Sequence, residues 1–102
     1  MNNNLSDIKP FLDNDGRLIS FPSKHKKKLT VLWYLAGKIE NGRQYSEAEI
    51  NTLLDEWTVF RDHATLRREL YNKMLLNRTN DCSRYWKSES IPSFEEFIEK
   101  YV

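Results

Sequence analysis

Between Asp62 and Lys87 the chain reads DHATLRRELYNKMLLNRTNDCSRYWK, a helical periodicity that gives way to two short β-prone runs around a polar turn. Asp62 is a good N-cap, because its carboxylate can accept from the free N–H groups of a first helical turn. At about 100° per residue, Leu66, Leu70 and Met74 fall on one stripe, with Ala64, Tyr71 and Leu75 on a second beside it. His63 and Arg67 lie within or between these stripes, which leaves Thr65, Arg68, Glu69 and Asn72 on the polar arc. This pattern predicts a helix that mostly faces protein and shows one narrow strip outward. The runs Leu75–Thr79 and Ser83–Lys87 then flank Asn80-Asp81-Cys82, and a hairpin is expected there, Tyr85 and Trp86 favouring a strand.

Two helices precede this stretch. The first is expected over 24–40, capped by Ser23 and stopped at Asn41-Gly42, where Gly42 can take the positive φ of a helix end. Leu29, Val31, Leu32, Trp33, Leu35, Ala36 and Ile39 cover nearly half its circumference, as a helix central to a small core would require. Its first turn carries Lys24, Lys26, Lys27 and Lys28 at the positive end of the helix dipole, where each cation is unfavourable. An anionic partner such as phosphate would explain the cluster, and so would lysine stems that cover apolar surface while their heads stay in water.

The second helix opens on a capping box, Ser46-Glu47-Ala48-Glu49, with Tyr45 and Ile50 at the hydrophobic-staple positions. Ile50, Leu53, Leu54 and Trp57 follow at i, i+3, i+4 and i+7, so it should end near Trp57. Arg43-Gln44-Tyr45 is placed to add a short strand to the hairpin, and Thr58 to Arg61 to form the turn into the third helix.

The flanks are shorter. Met1 to Asn4 are expected to be disordered, and Leu5 to Leu12 to form one or two helical turns interrupted by Pro10. Asn14-Asp15-Gly16 is a turn signal, and Arg17 to Phe21 alternates like a short strand closed by Pro22. At the other end Ser93 and Glu96 form a second capping box, with Phe94, Phe97, Ile98 and Tyr101 as an apolar face that either packs back on the domain or dimerises. The predicted fold is α+β, mainly α: a winged helix-turn-helix over 23–87, an N-terminal arm over 1–22 and an added helix within 88–102.

Charge is segregated behind a net +1. Residues 24–42 and 61–87 each sum to +4, whereas 1–23, 43–60 and 88–102 come to −1, −3 and −3. Two basic segments of this kind can meet in a surface patch. A mean hydropathy of −0.73 and no apolar run near the roughly 20 residues of a membrane span predict a chain that does not cross a membrane. The start, MNNNLSD, lacks the basic and apolar regions of a signal peptide, and the single Cys82 has no partner for an internal disulfide, so a cytoplasmic location is expected.

Groups with catalytic chemistry are sparse. His25, His63 and Cys82 show no metal-ligand spacing, and no phosphate-binding glycine loop or nucleophile elbow is present; neither enzyme activity, a metal nor a cofactor is expected. His63 reads as a structural polar residue at a helix start, and Cys82 as an exposed thiol at a turn. Arg67 sits on the apolar side of its helix, where an unpaired cation is costly, so a carboxylate or backbone carbonyls should hold it and aromatics should cover its stem.

The segments Gly16-Arg17-Leu18, Phe21-Pro22-Ser23-Lys24, Leu32 to Ala36, Tyr45-Ser46, Asp62 to Leu70 and Tyr85-Trp86 resemble the DUF2087 family of bacterial proteins over roughly residues 10–87, the DHATLRREL segment being the distinctive one. The resemblance implies a winged-helix-like domain and a regulatory context, since some members carry it behind a separate helix-turn-helix domain; it implies no catalytic residues. Where the family has an Asp-Gly turn this chain has Asn80-Asp81-Cys82, so a different wing tip is expected.

The function expected from all this is nucleic-acid binding, to double-stranded DNA, in transcriptional regulation. Thr65, Arg68 and Asn72 would face a groove, and Arg78, Arg84, Lys87 and the cluster Lys24, Lys26 and Lys27 would reach phosphates. The alternative is a non-catalytic protein-interaction or ligand-sensing module on the same fold.

Overall fold

The helix His25–Ala36 (α1) places six buried residues in the core, and the computed structural model describes residues 8–101. The expectations for Met1 to Asn4 and for the start of the Leu5 turn lie outside the described residues. Leu29, Val31, Leu32, Leu35 and Ala36 are buried, and so is Thr30, whose hydroxyl is satisfied by donating to the Lys26 carbonyl at 2.8 Å. Trp33 and Tyr34 reach outward from the same helix. The Trp33 indole N–H donates to the Pro92 carbonyl, and the Tyr34 hydroxyl donates to the Gly16 carbonyl at 2.8 Å. One helix thus ties down both flanks.

Two details of α1 depart from the sequence reading. Lys24, not Ser23, is the N-cap, and no side chain caps the helix. It ends at Ala36 rather than near Glu40, because Lys38 and Ile39 bond back to Leu35 and Ala36 in tight i→i−3 fashion, which turns the buried Ile39 into the core. Gly42, with φ +75°, shapes the later turn instead of stopping the helix.

The N-terminal arm is more irregular than expected. Among the described residues of the expected helical turns, a 3-10 turn forms at Lys9–Phe11, with Pro10 at its start. The alternating run at 17–21 forms no strand; Leu18 alone bridges, antiparallel to Leu12 and parallel to Thr58. The cause is the tight turn before it: the Asp13 carboxylate accepts from the Asp15 and Arg17 N–H groups, and Gly16 has φ +79°. A side chain at Gly16 would also meet the Tyr34 hydroxyl at 3.0 Å.

After strand Gln44–Tyr45 (β1), the helix Glu47–Glu56 (α2) begins with both bonds of the expected capping box, an arrangement worth about 1 kcal/mol. The connection to the next helix, His63–Asn72 (α3), is fastened by His63 Nδ1 against the Asp55 carboxylate at 3.0 Å. Asp62 caps α3 by accepting from the Thr65 N–H. Only Leu66 and Leu70 of α3 are fully buried, each burial contributing about 2 kcal/mol. Each expected stripe is only partly buried: Met74 of the first is 63% exposed, and in the second Leu75 is buried whereas Ala64 is exposed and Tyr71 is 40% exposed.

Ala64 and Tyr71 stand about 100° or more around the helix from Leu66 and Leu70, on the side away from the core, while Met74 and Leu75 are placed by a break after the helix. The Met74 N–H bonds to the Tyr71 carbonyl, the Leu75 N–H reaches back to Leu70, and Met74 adopts φ +62°. This is a Schellman ending with methionine where glycine is usual, and it turns Leu75 into the core while leaving Met74 in water.

Strands Leu76–Arg78 (β2) and Tyr85–Lys87 (β3) form the wing, and β1 pairs with β3 to complete a three-stranded antiparallel sheet in the order β1-β3-β2. Tyr85 stands opposite both Tyr45 and Arg78, with Trp86 opposite Gln44 and Asn77 on the outer face. The last helix, Phe94–Tyr101 (α4), has the predicted Ser93–Glu96 capping box and packs back on α1, with Phe97 fully buried and Phe94 edge-on to Trp33. Its Tyr101 hydroxyl donates to the Lys73 carbonyl at 3.0 Å. The fold is α+β and mainly helical, in a winged-helix-like layout. Among the described residues no helix is long and apolar enough to cross a membrane.

The left-handed Met74 carries about 1 kcal/mol of conformational cost that glycine would not. Met74→Gly should therefore raise the unfolding free energy by about 0.5–1 kcal/mol in a urea titration. A loss of stability would show that the Met74 side chain contributes more by contact than it costs in the backbone.

Candidate nucleic-acid interface

The misread side of α3 is also its most accessible one. Ala64, Arg68, Tyr71 and Asn72 are exposed at i, i+4, i+7 and i+8, and the wing stands alongside them. Between helix and wing lies a cleft of about 320 Å³ lined by Ala64, Arg67, Arg68, Tyr71, Asn72, Arg78, Cys82 and Tyr85. Its lining holds three arginines and no carboxylate.

The three guanidinium groups are held differently. Arg67 is half-buried; it donates to the Asn51 side-chain carbonyl from α2 and lies 5.7 Å from the centre of the Tyr85 ring. Its partner is thus an amide oxygen, rather than the carboxylate or backbone carbonyls expected, so its positive charge is left unneutralised. Arg78 lies 4.5 Å from the centre of the Tyr71 ring and donates to the Thr79 carbonyl at 3.0 Å. Arg68 is exposed and makes no hydrogen bond or ion pair among the described residues.

Tyr85 forms the floor of the cleft at 2% exposure. Burial pushes its phenol above the ordinary range and the adjacent Cys82 thiol adds to this, so the hydroxyl remains a neutral donor at physiological pH. Cys82 is itself half-buried, which corrects the expectation of an exposed thiol: at φ +62° its side chain turns inward to the cleft and the core instead of into water.

The wing tip needs no glycine because a polar hub shapes it. Thr79 Oγ1 donates to Asp81 and accepts from the Ser83 and Arg84 N–H groups, while Asp81 Oδ1 also accepts from the Ser83 hydroxyl at 2.7 Å. The hydroxyls of Ser83 and Thr79, followed by the Ser83 N–H, lower the Asp81 carboxyl to about 2.

The remaining candidates lie elsewhere. Thr65 is half-buried near the Asp62 cap and does not line the cleft. Arg84 is exposed outside it; its charge reaches Glu49, whose carboxyl is lowered first by the Ser46 N–H of the capping box and then by Arg43 and Arg84. Lys87 points to the opposite end of the wing, beside Trp33 and Lys38. Lys24 and Lys26 are exposed at the start of α1, whereas Lys27 and Lys28 sit over the rings of Phe11 and Phe21 at 5.9 and 5.5 Å. That contact accounts for half of the lysine cluster by stem packing. His63 has the structural role described above.

Sequence reasoning did not single out Tyr71, Cys82 and Tyr85 as cleft residues. The signal it lacked was that Tyr71 stands about 100° or more around α3 from the buried Leu66 and Leu70, which leaves it outside the core with Arg78 over its ring.

The family described as an uncharacterized protein conserved in bacteria, DUF2087, matches residues 17–87, which include α1 to α3 and the whole wing. No curated protein and no solved structure matches the chain.

Because Asp81 is lowered from 3.8 to about 2 in the folded wing, its contribution to wing order is fully present above about pH 4 and is lost as pH falls through 2. A carbon-detected NMR titration should give a midpoint near 2 for this carboxyl, and Thr79→Ala should move it upward. An unshifted midpoint in the wild-type chain would contradict the hub.

Proposed function

The chain belongs to the DUF2087 family, whose description assigns no activity, and we propose that it is a DNA-binding domain acting in bacterial transcriptional regulation in the cytoplasm. One observation carries this reading: the cleft between α3 and the wing brings Arg67, Arg68 and Arg78 together with no acid among its lining residues. Like charges gathered in a concavity repel one another, and an anion placed there relieves the cost. In this reading Arg68 and Asn72, exposed on α3, face the groove, and Arg78 contacts a phosphate from the wing. Arg84, Lys24 and Lys26 supply longer-range attraction from outside the cleft.

A second reading, a protein-interaction or ligand-sensing module, draws support from the 40% exposed Tyr71 and 63% exposed Met74 at the end of the same helix. Aromatic and methionine side chains are enriched in protein interfaces.

Fluorescence anisotropy with a mixed pool of DNA duplexes, titrated across salt, separates the two. Each phosphate contact contributes about 0.9 to the slope of log affinity against log salt. Arg68→Ala and Arg78→Ala should each reduce that slope by about one, and Arg84→Ala by less. Absence of binding at low salt would sink the DNA reading for this chain.

A further inference from the structure

The cleft that would meet DNA also has the form of a site for a small molecule. Its volume of about 320 Å³ falls at the small end of ligand pockets, which run from about 300 to 1,000 Å³. Its cations are organised before any ligand arrives: Arg67 by Asn51 and the Tyr85 ring, Arg78 by the Tyr71 ring and the Thr79 carbonyl. Arg68, without a partner among the described residues, can close over what the other two hold.

The number of cations bears on which phosphate group fits. A bridging phosphodiester has one negative charge and two free oxygens. A phosphate monoester has three terminal oxygens and close to two negative charges at pH 7. Guanidinium forks donate to such oxygens in pairs, and charge-assisted bonds of this kind are stronger than neutral ones. A DNA backbone engages the site with singly charged diesters, which use only part of this donor set.

We propose that the α3–wing cleft binds a small phosphate monoester, which occupies the same guanidinium groups that would contact DNA and so excludes it. The ligand site stands on the cleft geometry alone; only the exclusion of DNA rests on the reading given under Proposed function. A phosphorylated metabolite and the terminal phosphate of a nucleic-acid strand share this chemistry, and the test distinguishes them.

The test is an NMR titration of the full chain, following the arginine Nε–H resonances and the amides of residues 64–72 and 78–85. Adenosine 5′-monophosphate should shift Arg67, Arg68 and Arg78 saturably; adenosine, and the methyl ester of the monophosphate, should shift them far less. Arg68→Gln removes an exposed side chain with no partner among the described residues, so the fold should persist while affinity drops about tenfold, the loss of one charge-assisted bond. A 5′-phosphorylated oligonucleotide binding much more tightly than the free mononucleotide would assign the monoester to a strand end; equal affinity would assign it to a free metabolite. No shift with the monophosphate, or shifts confined to other surfaces, would overturn the inference even if duplex DNA binds. Monophosphate binding without DNA binding would uphold the site and sink the DNA reading instead.

Discussion

Tyr85 is where the wing and α3 become one object. Strands of two or three residues have little stability of their own, and this sheet persists because one of its faces is buried. Tyr85 stands at the centre of that face, opposite Tyr45 on one side and Arg78 on the other, with Leu76 buried beside it. The Arg67 guanidinium approaches its ring from α3. The same side chain therefore fixes the pairing of three strands, the position of the wing against α3 and the floor of the cleft.

That arrangement explains why the arginines converge. Arg78 is carried into the cleft by its register opposite Tyr85, and Arg67 by its bond to Asn51 on α2. Neither has an acidic partner there. Of the nearby acids, Asp81 is held within the wing tip, Glu69 on Lys73 and Asp55 on His63, while Glu47 acts on Tyr85 without lining the cleft. A domain with a net charge of only +1 in this way presents one locally cationic concavity. Local arrangement, more than total charge, sets what such a surface attracts.

How much of this the sequence disclosed depended on whether the signal was local. The capping boxes at Ser46 and Ser93 and the cap at Asp62 are short-range chemistry, and they mark their helices correctly. The wing was legible from its aromatic run and polar turn. The ends of α1 and α3 were not, because each is set by how the chain turns next. Ile39 and Leu75 are delivered to the core by tight turns that a projection at constant angle overlooks, and the second of these leaves Met74 outside; Tyr71 was misplaced because it stands about 100° or more around α3 from Leu66 and Leu70. Leu18 failed as a strand for the complementary reason: its partners, Leu12 and Thr58, come from separate parts of the chain. The basic residues were visible one by one, but their meeting in a cleft depended on the Tyr85 register. Lys87, expected on the same surface, lies at the other end of the wing.

The most direct test of the central claim, that α3 and the wing form the nucleic-acid surface, is a residue-resolved map of backbone amide shifts as a DNA duplex is added. The account predicts that the largest shifts cluster at residues 64–72 and 78–85, around Arg68, Tyr71 and Arg78. Shifts centred on the lysines that start α1, or on the outer sheet face around Trp86, would contradict it.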